Sequence, residues 1–147
     1  MKYREDLERG LGDAVTFDPQ ILRAYDHDLG DDEFTVGKPH PMIDFTGRNH
    51  RLLREAEDPE TAVILLDLVL GYGANRNPAA ELAETLVATG RGQCDGGPVV
   101  LVHVCGTEAD PQVLSEQEGM LRQAGAFLFS SNAQAARAAL AVIHGAV

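Results

Sequence analysis

Ala62-Val63-Ile64-Leu65-Leu66-Asp67-Leu68-Val69-Leu70-Gly71-Tyr72-Gly73-Ala74-Asn75-Arg76-Asn77-Pro78 is the stretch that decides the fold. From Ala62 to Leu70 only Asp67 interrupts an apolar run, which suits a strand buried on both faces, as in a parallel sheet. Gly71-Tyr72-Gly73 breaks the run. Asn77-Pro78 then reads as an N-cap followed by proline at the first helical position. Over Pro78 to Ala88, Ala79, Leu82, Ala83, Leu86 and Val87 share one face, and Gly90 closes the helix.

The unit recurs downstream. After the flexible connection Gly92 to Pro98, Val99 to Val104 reads as a second buried strand. Asp110-Pro111 repeats the cap-plus-proline start of a helix ending near Gln123, stopped by Ala124-Gly125. Phe127 to Phe129 is a third strand, and Ser130-Ser131-Asn132 caps an alanine-rich helix from Ala133 to Ile143. Upstream, Phe34 to Val36 is a short strand ended by Gly37 and Pro39-His40-Pro41. Leu52, Leu53 and Ala56 share one face of a helix over Arg48 to Glu57. Strand, turn and helix alternating in this way predict a parallel sheet between helical layers. Each strand's carboxy end feeds a helix N-terminus, and open α/β sheets bind ligands at that edge.

The 147 residues suit one domain, and 44% apolar with 24% charged residues is ordinary for a soluble protein. A formal net charge of −11 argues against a nucleic-acid partner, because phosphate binding needs clustered Lys and Arg. It equally disfavours an anionic membrane surface. No stretch reaches the length of a membrane span, and Met1 to Asp6 lacks the apolar core of a signal peptide. Cys94 and Cys105 form no disulfide framework, so a reducing, cytoplasmic setting is expected.

Candidate chemistry gathers at the strand ends. The Gly71-Tyr72-Gly73 turn, ahead of a helix N-terminus, reads either as an anion site or as a tight turn needing positive φ. It is neither G-x-G-x-x-G nor a P-loop. Asp67 is either a satisfied carboxylate within a strand or a functional one. Thr107 and Glu108 are free to act in the Cys105 to Gln112 loop, where Asp110 reads as a helix cap. His40, fixed between two prolines, and Asp44 beyond it form a further candidate pair. His103 reads as a core residue, and His50 and His144 as helix-surface residues. The acidic run Asp26 to Glu33 reads as a solvated loop, since it lacks EF-hand spacing. No metal site or Ser-His-Asp arrangement is expected.

Three strings carry a resemblance. They are Asp28-Leu29-Gly30-Asp31-Asp32-Glu33-Phe34-Thr35-Val36-Gly37-Lys38-Pro39-His40-Pro41-Met42-Ile43-Asp44, then Leu66 to Ala74, then Gly106-Thr107-Glu108-Ala109-Asp110-Pro111-Gln112. Together they resemble the signature of the FdrA family, whose members are similar to the α subunit of succinyl-CoA synthetase. The resemblance covers residues 26 to 145. It implies a flavodoxin-like, three-layer α/β/α CoA-ligase domain over residues 26–147, with a mainly parallel sheet of about four strands. Residues 1–25 are then a helical or irregular extension.

The resemblance also implies a function. The chain is expected to be a subunit, or the C-terminal half, of a split FdrA-like protein related to acyl-CoA synthetases. It would contribute to an acyl- or carbamoyl-transfer site. The superfamily's phosphohistidine loop has no counterpart, because Gly106 to Gln112 contains no histidine. On this reading His40, Asp44 and Glu108 are catalytic, and Gly71, Tyr72, Gly73, Thr107 and Asp67 bind the ligand. The alternative is a non-catalytic scaffold or regulatory module of the same fold. In the 2-1-3-4-5 strand order the sheet's opening strand would lie between the Phe34 and Ala62 strands, and residues 1–25 do not supply it. Either the sheet pairs those two strands directly or another chain donates the missing one; the expectation is a companion subunit with a Rossmann-type CoA-binding domain, in an oligomer. It would bring CoA, or an acyl phosphate or nucleotide, that this chain does not hold alone. A flavodoxin-like FMN site is disfavoured, since the hydroxyl-rich phosphate loop and sandwiching aromatics are missing.

Overall fold

Alternation within two parallel strands builds the domain. The computed structural model describes residues 43–89 and 97–143. Outside them lie the expected N-terminal extension, the acidic run, the expected Phe34 to Val36 strand, His40, Cys94 and His144. The described elements are α1 (Thr46–Glu57), β1 (Val63–Val69), α2 (Pro78–Ala88), β2 (Val99–Cys105), α3 (Leu114–Gln123), β3 (Phe127–Phe129) and α4 (Asn132–Ile143). The strands form a parallel sheet in the order β1-β2-β3. Val63 is level with Val99, Asp67 with His103, and Val69 with Cys105, while β3 sets Leu101 against Phe127.

Successive residues point to opposite faces of the sheet. Ile64, Leu66 and Leu68 of β1, with Val100, Val102 and Val104 of β2, pack against Phe45, Leu52, Ala79, Leu82, Leu86 and Leu121. That face carries α1, α2 and α3. On the other face Val63, Val99, Leu101, Phe127 and Phe129 meet Ala138, Ala139 and Val142 of α4. A right-handed crossover from each strand to the next one on the same side puts both connecting helices on one face. The result is the expected α/β, flavodoxin-like arrangement of three layers. Leu68, Leu82, Leu101, Val102 and Leu121 are fully buried. Each such side chain contributes about 1.5–3 kcal/mol.

The described sheet has three strands, consistent with the expected number, the expected Phe34 strand lying outside the described residues. The structure departs from the sequence expectation in two places. β1 is well covered on one face only: Leu65 is 40% exposed and Asp67 is exposed, both on the α4 side. α4 presents mainly alanines, whose short side chains cover little of the edge strand β1. Asp110-Pro111 does not start a helix either. α3 begins at Leu114, after Val113 in the left-handed region with φ 55°. No helix among the described residues is long and apolar enough to cross a membrane.

Gly106, just after β2, is a packing requirement. A Cβ there would lie 2.6–2.8 Å from Cδ1, Cγ and Cβ of the buried Leu70. Gly106→Ala is expected to destabilise the domain by about 1–3 kcal/mol through this overlap. Urea unfolding measures the effect; an unchanged midpoint would mean that Leu70 moves aside freely.

Candidate functional site

The loops at the carboxy edge are held by two buried carboxamides. Gln112 Oε1 accepts the Gly71 N–H at 3.0 Å, while its Nε2 donates to the carbonyls of Gly71 and Asn75, both at 2.9 Å. Gln117 Oε1 accepts the Ala79 N–H at 3.0 Å, and its Nε2 donates to Asn77 Oδ1 and the Gln112 carbonyl. Both donors and the acceptor of each amide are thereby used. Asn77 does not cap α2 through its side chain, as its motif suggests, because its oxygen faces Gln117 instead. Pro78 does occupy the first turn. Asn75 links the same loop to α1 and α2 by donating to the Ile43 carbonyl and to Glu81.

The two glycines of the turn have different reasons to be there. Gly71 has φ 134°, a conformation that a side chain rarely adopts. Gly73 lies outside that region, and a Cβ on it would meet nothing within 4 Å. Backbone strain thus explains the first glycine and not the second. With its N–H given to Gln112, Gly71 has no free donor for a ligand. Among the described residues the N–H groups of Tyr72 and Gly73 remain unpaired, and the Tyr72 ring is 93% exposed.

The second loop is equally tied. Asp110 Oδ2 accepts the Thr107 N–H at 2.6 Å and the Thr107 hydroxyl at 3.0 Å. It therefore closes its own loop rather than capping α3. Glu108 receives the N–H and hydroxyl of Ser115, both at 3.0 Å. Val113, strained at a cost on the order of 1–3 kcal/mol, turns the chain between the two glutamines and into α3.

Near the start of α1, Asp44 is exposed and its Oδ1 accepts the Thr46 N–H at 2.9 Å. The Thr46 hydroxyl, then its N–H, hold the Asp44 carboxyl below the ordinary aspartate value of 3.8. Arg48 stacks on the Phe45 ring, 3.6 Å from its centroid. Burial pushes its guanidinium down to about 10, and the charge of Glu81 works against that.

One pairing escapes sequence reading. His103 Nδ1 lies 3.0 Å from Asp67 Oδ1, and Asn132 Nδ2 donates to Asp67 Oδ2 at 2.5 Å. His103 is not the core residue its strand position suggested. Its side chain is 19% exposed and Asp67's is 47%. Asp67 and His103 each stand fifth in their strand, and the parallel register brings them level. That shared position was the available signal. Cys105, exposed and free, ends β2 on the same face as His103.

The structure thus gathers Gly71, Tyr72, Gly73, Thr107 and Glu108 at one edge, with Asp67 just below it on the α4 face. Asp44 sits beside α1, tied to the turn only through Asn75 and the Ile43 carbonyl. What the edge offers a ligand is backbone N–H at Tyr72 and Gly73 beside a rigid floor.

Two measurements check this account. Gln112→Leu, which keeps the volume and removes every polar bond, is expected to cost on the order of 3 kcal/mol in urea unfolding, because Gly71 and Asn75 lose buried partners. For Asp44 a depressed folded value means that the bond's stabilising effect is full above the unfolded value. It is lost as pH falls through the lowered folded one. Carboxyl NMR titration should place Asp44 below its ordinary value, with Thr46→Val moving it upward.

Comparison with known proteins gives the kinship. A family model described as CoA-ligase matches residues 26–142. The uncharacterized protein YahF of Escherichia coli (strain K12) is 46% identical over 110 residues, 71% of this chain. The match spans only 21% of that relative's own length.

Proposed function

The chain belongs to the CoA-ligase family, and on that premise we propose that it supplies one half of a group-transfer site. The substrate is an acyl or carbamoyl group, passed without a phosphohistidine, in a protein related to acyl-CoA synthetases and FdrA-like in character. The other half, a Rossmann-type CoA-binding domain, comes from a companion chain in a cytoplasmic oligomer. CoA, or an acyl phosphate or nucleotide, binds between the two. On this reading Tyr72 and Gly73 meet the anionic group with Thr107 beside them, and His40 and Asp44 keep the catalytic roles the resemblance implies.

The observation that carries this reading is Gly73: a glycine that neither φ nor packing demands, next to free N–H groups at the carboxy edge of a parallel sheet. β1, at one edge of the described sheet with Leu65 exposed, supports a partner alongside it.

A scaffold role is the second reading. It is favoured by the internal engagement of Glu108 with Ser115, Asp110 with Thr107 and Gly71 with Gln112, which leaves few side chains free for chemistry.

Purification from native cells with mass spectrometry of bound chains, followed by CoA titration calorimetry, tests the proposal. CoA is expected to bind the complex and not this chain alone. Gly73→Val should weaken ligand binding by at least tenfold, about 1.4 kcal/mol, with little change in unfolding midpoint. Normal binding by that variant favours the scaffold reading. A monodisperse monomer with strongly protected β1 amides on both edges would remove the companion.

A further inference from the structure

Asp67, His103 and Asn132 form a chain of polar contacts that nothing in the packing requires. An aspartate is an acceptor when ionised, so His103 Nδ1 is the donor at 3.0 Å and the imidazole lone pair is on Nε2. The other oxygen of Asp67 is held by Asn132 Nδ2 from the start of α4, which fixes the carboxylate and, through it, the ring. A base held by an orienting group in this way needs a nucleophile brought to it. Strand alternation places a candidate on the same face. Cys105 follows His103 by two residues on the same face, so their Cβ atoms are roughly 6.6 Å apart. Its thiol is exposed, at the carboxy edge, and without a hydrogen-bond partner among the described residues.

We propose that Cys105 is an acyl-accepting nucleophile, with His103 as its general base and Asp67 as the residue that positions His103. The substrate class is an acyl thioester. The site takes up the rotamer of Cys105 that turns Sγ over Nε2 when the acyl donor is bound, since catalytic hydrogen bonds often tighten only in the complex. Sγ attacks the acyl carbon as its proton passes to Nε2, and the bond from carbon to the departing sulfur breaks. The imidazolium returns the proton to the leaving thiolate. The products are acyl-S-Cys105 and a free thiol, and a second nucleophile deprotonated by His103 then takes the acyl group. Such a covalent carrier deepens the transfer reading above, where no phosphohistidine is present, and it rests on that reading only for the acyl class of substrate.

The test uses the full chain and S-acetyl-N-acetylcysteamine, a thioester that lacks the nucleotide and so needs no CoA-binding partner. Mass spectrometry is expected to find one hydroxylamine-labile acetyl group on Cys105, formed well ahead of any on Cys94, the second thiol of the chain. Cys105→Ser should abolish it. His103→Gln should slow it about a hundredfold, and Asp67→Asn should slow it less, with circular dichroism unchanged. If His103→Gln fails to fold, Asp67→Asn decides alone. Equal rates at the two cysteines, or an unchanged rate in the folded variants, would overturn the assignment. Persistence of CoA-dependent transfer in Cys105→Ser would overturn it too, while leaving the wider group-transfer reading intact.

Discussion

Two buried glutamine side chains, Gln112 and Gln117, hold the carboxy edge of this domain together. A parallel sheet leaves its carboxy-end loops with unpaired backbone groups, and a buried unpaired group costs on the order of 1–3 kcal/mol. Gln112 offers Gly71 an acceptor and a donor together, much as a neighbouring strand would, and its remaining proton satisfies Asn75. Gln117 does the same for the start of α2 while gripping the carbonyl of Gln112. The first loop, the second loop and two helices thus share one set of bonds. Val113 sits within it, and the strain of a β-branched residue at φ 55° persists because bonds on either side fix the chain's path.

That arrangement shapes what the edge can do. Side chains that look reactive in isolation are engaged locally: Asp110 by Thr107 of its own loop, Glu108 by Ser115 at the start of α3. What remains open is main chain at Tyr72 and Gly73. A rigid floor with free N–H groups suits binding an anionic group presented by another domain better than it suits acid–base chemistry. The Asp67–His103 pair lies just below that edge, on the face of the sheet that α4 covers.

The chain belongs to the CoA-ligase family, and its match spans 21% of the length of YahF. The acidic net charge does not oppose an anionic ligand at the carboxy edge, because oriented backbone dipoles act locally and distant charges are screened within about 10 Å.

Much of this was legible in the sequence, and the boundary between what was and was not follows from range. The apolar run Ala62 to Leu70, the turn after it and Pro78 at the start of a helix are local signals, and they determined the alternating elements and the parallel sheet. The local signal misled where a loop competed for the same residues: Asp110-Pro111 has the form of a helix start, yet Thr107 captures the carboxylate. Gln112 and Gln117 read as ordinary polar residues around a helix start, since nothing nearby in sequence shows that their partners lie around forty residues away. Asp67 stood out and His103 read as a core residue, but only the strand register makes them a pair, and only the approach of α4 brings Asn132 to Asp67 across 65 residues. The sequence by itself determined the elements and the parallel sheet they build, because periodicity and capping act within a few residues. Tertiary structure alone decided which polar groups meet, because register and helix docking are set by burial of the whole sheet.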